Sequence, residues 1–187
     1  QPTPPKTVVL ATGPAQSAYE EFGKRYQQAL AVEGITVQLL PSEGSLTNLQ
    51  LLREGHADLA FVQGGTAVLQ PEDHEQLRSL GSLFVEPLWL FYREKAARRV
   101  APSGRLDALP QLQGLRVNVG SAGSGVPTLM DKLLEANHLD TQALKVSRLE
   151  QTPATVAFLA GDIDVLVATT IIENGLAAGE TVVIDGV

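Results

Sequence analysis

Short apolar runs rich in β-branched residues alternate along this chain with longer stretches whose apolar residues recur every three or four positions. The first kind reads as a strand covered on both faces, the second as an amphipathic helix. Residues 7–12 (TVVLAT) are such a run, broken by Gly13 and Pro14. A helix is predicted over 15–31, with Tyr19, Phe22, Tyr26 and Leu30 at helical spacing and Gln16 and Ser17 at its N-terminus. Gly34 ends it and 35–40 is the next strand. In 41–65 (PSEGSLTNLQLLREGHADLAFVQGG) Gly44 lets the backbone turn, and Ser45 or Ser42 is expected to cap the helix that follows. Leu46, Leu49 and Leu52 form its apolar stripe, Gly55 stops it, and 59–62 is a third buried strand.

The same β-α-β-α-β plan returns after residue 115. Residues 116–120 (RVNVG) read as a strand, Ser121 to Gly125 as a small-residue turn, and 126–136 as a helix whose first turn accommodates Pro127. Strands are expected at 144–149 and 163–168, with a helix opened by Thr152-Pro153 and stopped by Gly161 between them. The apolar run 80–92, interrupted by Glu86-Pro87, reads as a strand crossing from one unit to the other. This predicts an α/β protein with parallel βαβ units in each of two lobes. Residues 1–6 form an extended tether, 7–92 the first lobe, 93–170 the second, and 171–187 a short return segment or non-native tail that includes a strand at 181–184.

Parallel α/β sheets bind ligands outside the carboxyl ends of their strands. That rule puts Gly44 and Ser45 on one rim with Gln63 and Gly64, the helix supplying N–H groups and the glutamine a side-chain amide.

Composition narrows the function. The chain has 187 residues, 44% hydrophobic and 19% charged, enough to bury a core. Its net charge of −7 and sequence pI near 4.9 argue against a nucleic-acid partner. No cysteine is present, which removes disulfides, thiolate metal sites and cysteine nucleophiles. No run reaches the ~18–20 apolar residues of a membrane span. The Pro-rich start reads as an extended tether; a leader just after a removed signal or anchor would look like this, and a cloning boundary would look the same.

Individual candidates carry alternatives. The turn Ser121, Ala122, Gly123, Ser124, Gly125 before Val126 offers N–H groups to an anion, or is a plain tight turn. It is neither a nucleophile elbow nor a phosphate loop, because Ala122 stands at the first glycine of the one and the lysine of the other is missing. Tyr19 is a ligand contact or core; Trp89 is a flat wall for a ligand or hinge filling. Gln63 bonds a ligand or the neighbouring turn. Arg93 clamps a carboxylate bidentately or, before its charged loop, faces solvent, the reading preferred here as for Arg98 and Arg99. Asp162 and Asp164 are an acid–base pair or turn caps, and strand alternation around Ile163 favours caps. His56, His74 and His138 lack partners at metal-ligand spacing. No cofactor and no catalytic set is expected.

Five stretches together resemble one family: ATGPAQSAYEEFG, SEGSLTNLQLLREGHADLAFVQ, VEPLWLFYR, LQGLRVNVGSAGSG and FLAGDIDVLV. In this order, over residues 8–167, they resemble the TAXI solute-binding subunits of tripartite ATP-independent periplasmic (TRAP) transporters. The resemblance implies a type II periplasmic-binding-protein fold holding a small carboxylate, such as glutamate, another amino acid or a dicarboxylate, between the lobes. It implies a TRAP-type membrane permease as partner and a periplasmic location. The family's motifs fall on Thr12, Gly13, Ser17, Tyr19 and Gly23; on Gly44, Ser45 and Asn48; on Gln63; and on Gly120, Gly123, Ser124 and Gly125. Gly64-Gly65 stands where the family often has a small polar residue and then Asp, and Val126 where a hydroxyl residue is common. The chain is shorter than the family's members, so a truncated receptor is expected. The rival readings are a periplasmic sensory input domain of the same fold, an enzyme built on it, and a partial chain that binds nothing.

Overall fold

The computed structural model describes residues 5–66 and 70–169. They divide into two compact units, one lying within residues 1–82 and joined by Ala122–Gly125, the other lying within 83–121 and 126–187.

The first unit is built from β1 (Thr7–Ala11), α1 (Ala18–Val32), β2 (Thr36–Leu40), α2 (Ser45–Arg53), β3 (Leu59–Ala60) and the one-turn α3 (Asp73–Gln76). Its sheet has the order β2-β1-β3 with both pairings parallel. Leu10, Ala11, Val37, Leu49 and Phe61 are buried. Gly23 lets α1 lie close on this sheet, since a Cβ there would come 2.7 Å from Thr12 Cγ2 and 3.1 Å from Leu39 Cδ2. One turn to either side of it, the rings of Tyr19 and Tyr26 pack on Phe61 at centroid distances of 5.4 and 6.0 Å. At the far end of α2, Arg53 grips Asp73 through two bonds of 2.9 and 2.6 Å. That guanidinium, with the Gln70 N–H, brings the Asp73 carboxyl down to about 2.

The second unit contains β4 (Leu88–Tyr92), the short α4 (Glu94–Ala97), β5 (Arg116–Asn118), α5 (Val126–Ala136), β6 (Lys145–Ser147), α6 (Gln151–Ala160) and β7 (Val165–Thr169). Short 3₁₀ turns lie at Leu109–Leu112 and Thr141–Ala143. The sheet order is β4-β7-β5-β6, parallel except for β4. Strand alternation divides the core. Val165 and Val167 of β7 join Val117, Met130 and Leu134 on one face, and Leu166 joins Ala154, Phe158 and Ile163 on the other.

Several placements correct the reading of the sequence. The crossing strand expected in the first lobe is β4, and it pairs antiparallel with β7, Leu88 opposite Thr169 through Tyr92 opposite Val165. Its two apolar faces explain this: Leu88, Leu90 and Tyr92 feed one half of the second core, Phe91 the other. Pro87 stands just outside the ladder, where its missing N–H leaves no gap. Arg93 does not face solvent freely; its guanidinium donates to the carbonyls of Phe158 and Leu159 at 2.7 and 3.0 Å, closing the C-terminus of α6. Asp164 is not a turn cap but a carboxylate only 2% exposed, paired with Arg116 and with Arg99 at 2.8 Å each. The Arg116 guanidinium, with the Arg116 backbone N–H behind it, holds that carboxyl down to about 2. Ser45 makes no cap bond to its own helix, whose N-cap is Gly44. The strand expected at 181–184 lies outside the described residues.

Candidate functional site

The carboxyl ends of β1, β2 and β3 are gathered by one side chain. Asn48, fully buried in α2, donates its amide hydrogens to the carbonyls of Thr12 (2.6 Å) and Phe61 (2.7 Å). Its oxygen accepts from the Ser42 hydroxyl at 2.5 Å. Ser42 in turn accepts from the Gly44 N–H, and its own N–H goes to the Gly13 carbonyl at 3.1 Å. Asparagine competes with helical backbone through its short amide. Here it occupies a helix because its amide reaches strand ends far away in the chain.

Gly44 has φ +130° and ψ −154°, a conformation open only to glycine. It faces the turn Ala122–Gly125, and a Cβ on it would come 3.0 Å from Ser124 Cα. The Gly123 carbonyl accepts from the N–H groups of Leu46 (3.2 Å) and Thr47 (3.4 Å). The first turn of α2, expected to face a ligand, therefore finds acceptors within the protein. Gly123 is tightly enclosed: a Cβ there would collide with Glu43 and approach Thr47 Oγ1 to 2.7 Å.

Gln63 closes the group. Its backbone N–H donates to Ser45 Oγ at 2.8 Å, and its carbonyl accepts from the Thr66 hydroxyl at 2.7 Å. Its side chain lies beside Gly125, where an added Cβ would be 2.6 Å from Oε1 and 2.7 Å from Thr66 Cγ2. The residue is 6% exposed, and its Nε2 is buried with no hydrogen-bond partner among the described residues. A buried donor left unmade costs ~1–3 kcal/mol, so such an atom calls for an explanation.

The N-terminus of α1 is also closed by its own residues. Ser17 is the N-cap and accepts from the Glu20 N–H, while Gln16, at φ +64°, gives its N–H to the Glu20 carboxylate at 2.5 Å. That bond lowers the Glu20 pKa. Thr12 and Gly13 are buried beneath this turn, and Tyr19 is half-buried against Phe61.

The structure thus brings Gly44, Ser45, Gln63, Ser124 and Gly125 to one place in the first unit, with Thr12 and Gly13 joined to them through Asn48 and Ser42. Gly64 lies in the same loop but is exposed, with nothing within 4 Å of an added Cβ. Trp89, Ser121 and Val126 belong to the second unit. Trp89 is 39% exposed on β4 and stacks on Phe91 at 6.4 Å. Val126 is a core residue there. Thr66 and the carbonyl of Gly123 were not anticipated; Thr66 carries no local sequence signal, and the Gly123 contact is long-range. Asn118 is a second buried amide, satisfied by Ser147 and Leu149 at the end of β5.

Among the described residues, no group of three or more His, Asp or Glu is placed to hold a metal ion, and no helix is long and apolar enough to cross a membrane.

Solved structures share this fold. The alkanesulfonate-binding protein SsuA from Xanthomonas axonopodis pv. citri, bound to MOPS, superposes with a TM-score of 0.55 and 17% identity over 95% of this chain. An ABC uptake transporter substrate-binding protein from Streptococcus pneumoniae with bound histidine gives 0.56 and 18% over 88%, covering 66% of that protein. The GluR0 ligand-binding core from Nostoc punctiforme in complex with L-glutamate gives 0.54 and 16% over 88%, covering 69% of it. The chain spans 64% of the length of the sulfonate-binding protein. The fold is that of type II periplasmic binding proteins. A family model described as the NMT1-like family matches residues 10–177, and the chain belongs to that family.

Proposed function

We propose that this protein is an extracytoplasmic solute-binding protein, not an enzyme. It captures a small carboxylate, an amino acid such as glutamate or a dicarboxylate, and delivers it to a TRAP-type membrane permease. The observation that carries this reading is Gln63, whose buried Nε2 has no partner among the described residues although its own backbone N–H and carbonyl are both bonded. A buried donor held unmade beside hydroxyls and glycine backbone is what a solute receptor presents. Membership of the NMT1-like family and the shared fold support the class. The TAXI resemblance of residues 8–167 supports the TRAP-type partner and the periplasmic location. The sensory input domain is the second reading, favoured by the likeness to the GluR0 ligand-binding core.

A thermal-shift screen of amino acids and dicarboxylates tests the receptor reading. A solute at 100 times its Kd adds roughly 2.7 kcal/mol of stability, and silence across the panel counts against it. Uptake by proteoliposomes carrying a TRAP-type permease separates transport from sensing.

A further inference from the structure

The solute-receptor reading leaves open which part of the solute Gln63 meets. We propose that Gln63 Nε2 donates to an uncharged oxygen of the solute, a carbonyl, amide or hydroxyl oxygen, and that the solute's carboxylate is not held at this point. The proposal rests on the receptor reading and on three observations independent of it.

The first is the charge around the site. None of the residues placed on Gln63 or on the first turn of α2 is Lys or Arg. Arg53 is bonded to Asp73 at the opposite end of α2. Lys24 pairs with Glu20 on α1, Arg25 with Glu21, and Arg78 donates to the carbonyls of His74 and Leu77. Lys6 precedes β1, at the amino end of the strand whose carboxyl end carries the site. The charged groups that do stand near the turns are the carboxylates of Glu43, against Gly123, and Glu20, against Gln16.

The second is the fate of the backbone donors. A carboxylate buried without a cation needs several converging N–H groups. Those of Leu46 and Thr47 are taken by the Gly123 carbonyl, and that of Gln16 by Glu20.

The third is the number of hydrogens that Gln63 and its neighbour Ser45 present. The Gln63 amide and the Ser45 hydroxyl, which already accepts from the Gln63 N–H, can present their hydrogens. Together they hold three hydrogens, two on the amide nitrogen and one on the hydroxyl, enough for the two lone pairs of one neutral oxygen. That number falls short of the four lone-pair sites of a carboxylate.

The test compares acids with their own amides. Calorimetric titration of the chain with L-glutamate, L-glutamine, succinate and succinamate is repeated on Gln63→Met, which keeps the length and removes the donor. In the wild type the amide is expected to bind at least as tightly as its acid. Gln63→Met should weaken the amide by about tenfold or more and the acid by less. An acid preference of about tenfold that disappears in Gln63→Met would show that Gln63 holds a carboxylate and overturns the proposal, as does a variant that changes neither affinity. A second measurement needs no solute. Ligand-free Gln63→Met loses an unmade buried donor, so its Tm should rise by about 2–4 °C. A fall in Tm would mean that Nε2 is already bonded, and the proposal fails. If no compound binds the wild type, the receptor reading fails, and this Tm comparison alone decides the state of Nε2.

Discussion

Asn48 and Thr12 stand 36 positions apart, yet the Asn48 amide donates to the Thr12 carbonyl across 2.6 Å. The same nitrogen serves Phe61, so one side chain sets the spacing of two strand ends. Asn48→Ala strands the carbonyls of buried Thr12 and Phe61 and takes the acceptor from the half-buried Ser42 hydroxyl. It should lose roughly 2–4 kcal/mol of stability, measured by urea unfolding. An Asp at this position brings oxygen against two carbonyls and should do no better than Ala. Loss of less than about 0.5 kcal/mol would show that water replaces the amide without penalty.

Gly125 is limited by space rather than by backbone angle. Its Cβ would meet Gln63 Oε1, which can move, and Thr66 Cγ2, which belongs to a buried β-branched side chain and cannot. Gly125→Ala should therefore cost about 1–3 kcal/mol of stability and turn the Gln63 amide out of position. Solute affinity, read by calorimetry, should fall further than the loss of stability explains. Gly64→Ala, in open space, serves as the control and should leave both unchanged.

Acid should unfold the second unit partly through Asp164. Its pKa in the folded protein, about 2, lies below the ordinary 3.8 because of Arg116. A depressed carboxyl adds stability that is complete above its unfolded pKa and is lost as pH falls through its folded one. The Tm of the wild type should thus decline between about pH 3.8 and 2. Asp164→Asn should lower the Tm at pH 7 and flatten that decline, with the remaining slope owed in part to Asp73. An unchanged slope in the variant would remove Asp164 from the account.

Arg93 and Gly161 together finish α6. The glycine takes φ +88°, and the guanidinium bonds two carbonyls of the last turn. Gly161→Ala and Arg93→Ala should each cost roughly 1 kcal/mol in chemical denaturation and leave solute affinity as it was. A large loss of affinity in Arg93→Ala would instead make this residue the carboxylate clamp.

Local signals carried most of the elements. The apolar spacing of Tyr19, Phe22 and Tyr26 found α1, the Pro127 turn found the start of α5, and Gly161 found the end of α6. Strands were located but drawn too long: 59–62 contracts to Leu59–Ala60, because beyond it only the Phe61 N–H still bonds β1, while the Phe61 carbonyl goes to Asn48 and the Gln63 N–H to Ser45. What stayed hidden was long-range. The pairing of β4 with β7 and of Arg116 with Asp164 joins residues 48 or more positions apart, and no periodicity reports that. The glycines and Gln63 of the site were legible as turn and strand-end signals. Their mutual satisfaction was not, since a helix N-terminus read in isolation looks open until the Gly123 carbonyl is placed on it.

The tetrapeptide Ala122–Gly125 belongs to one unit while its flanking residues, Ser121 and Val126, belong to the other. The polypeptide therefore passes between the units three times, and no single cut releases either of them whole. A gene split after Ser82 would encode a front half lacking the carbonyl that quiets two amides of α2. Such a fragment should be produced as a poorly folded species, restored only when the complementary piece is supplied alongside it.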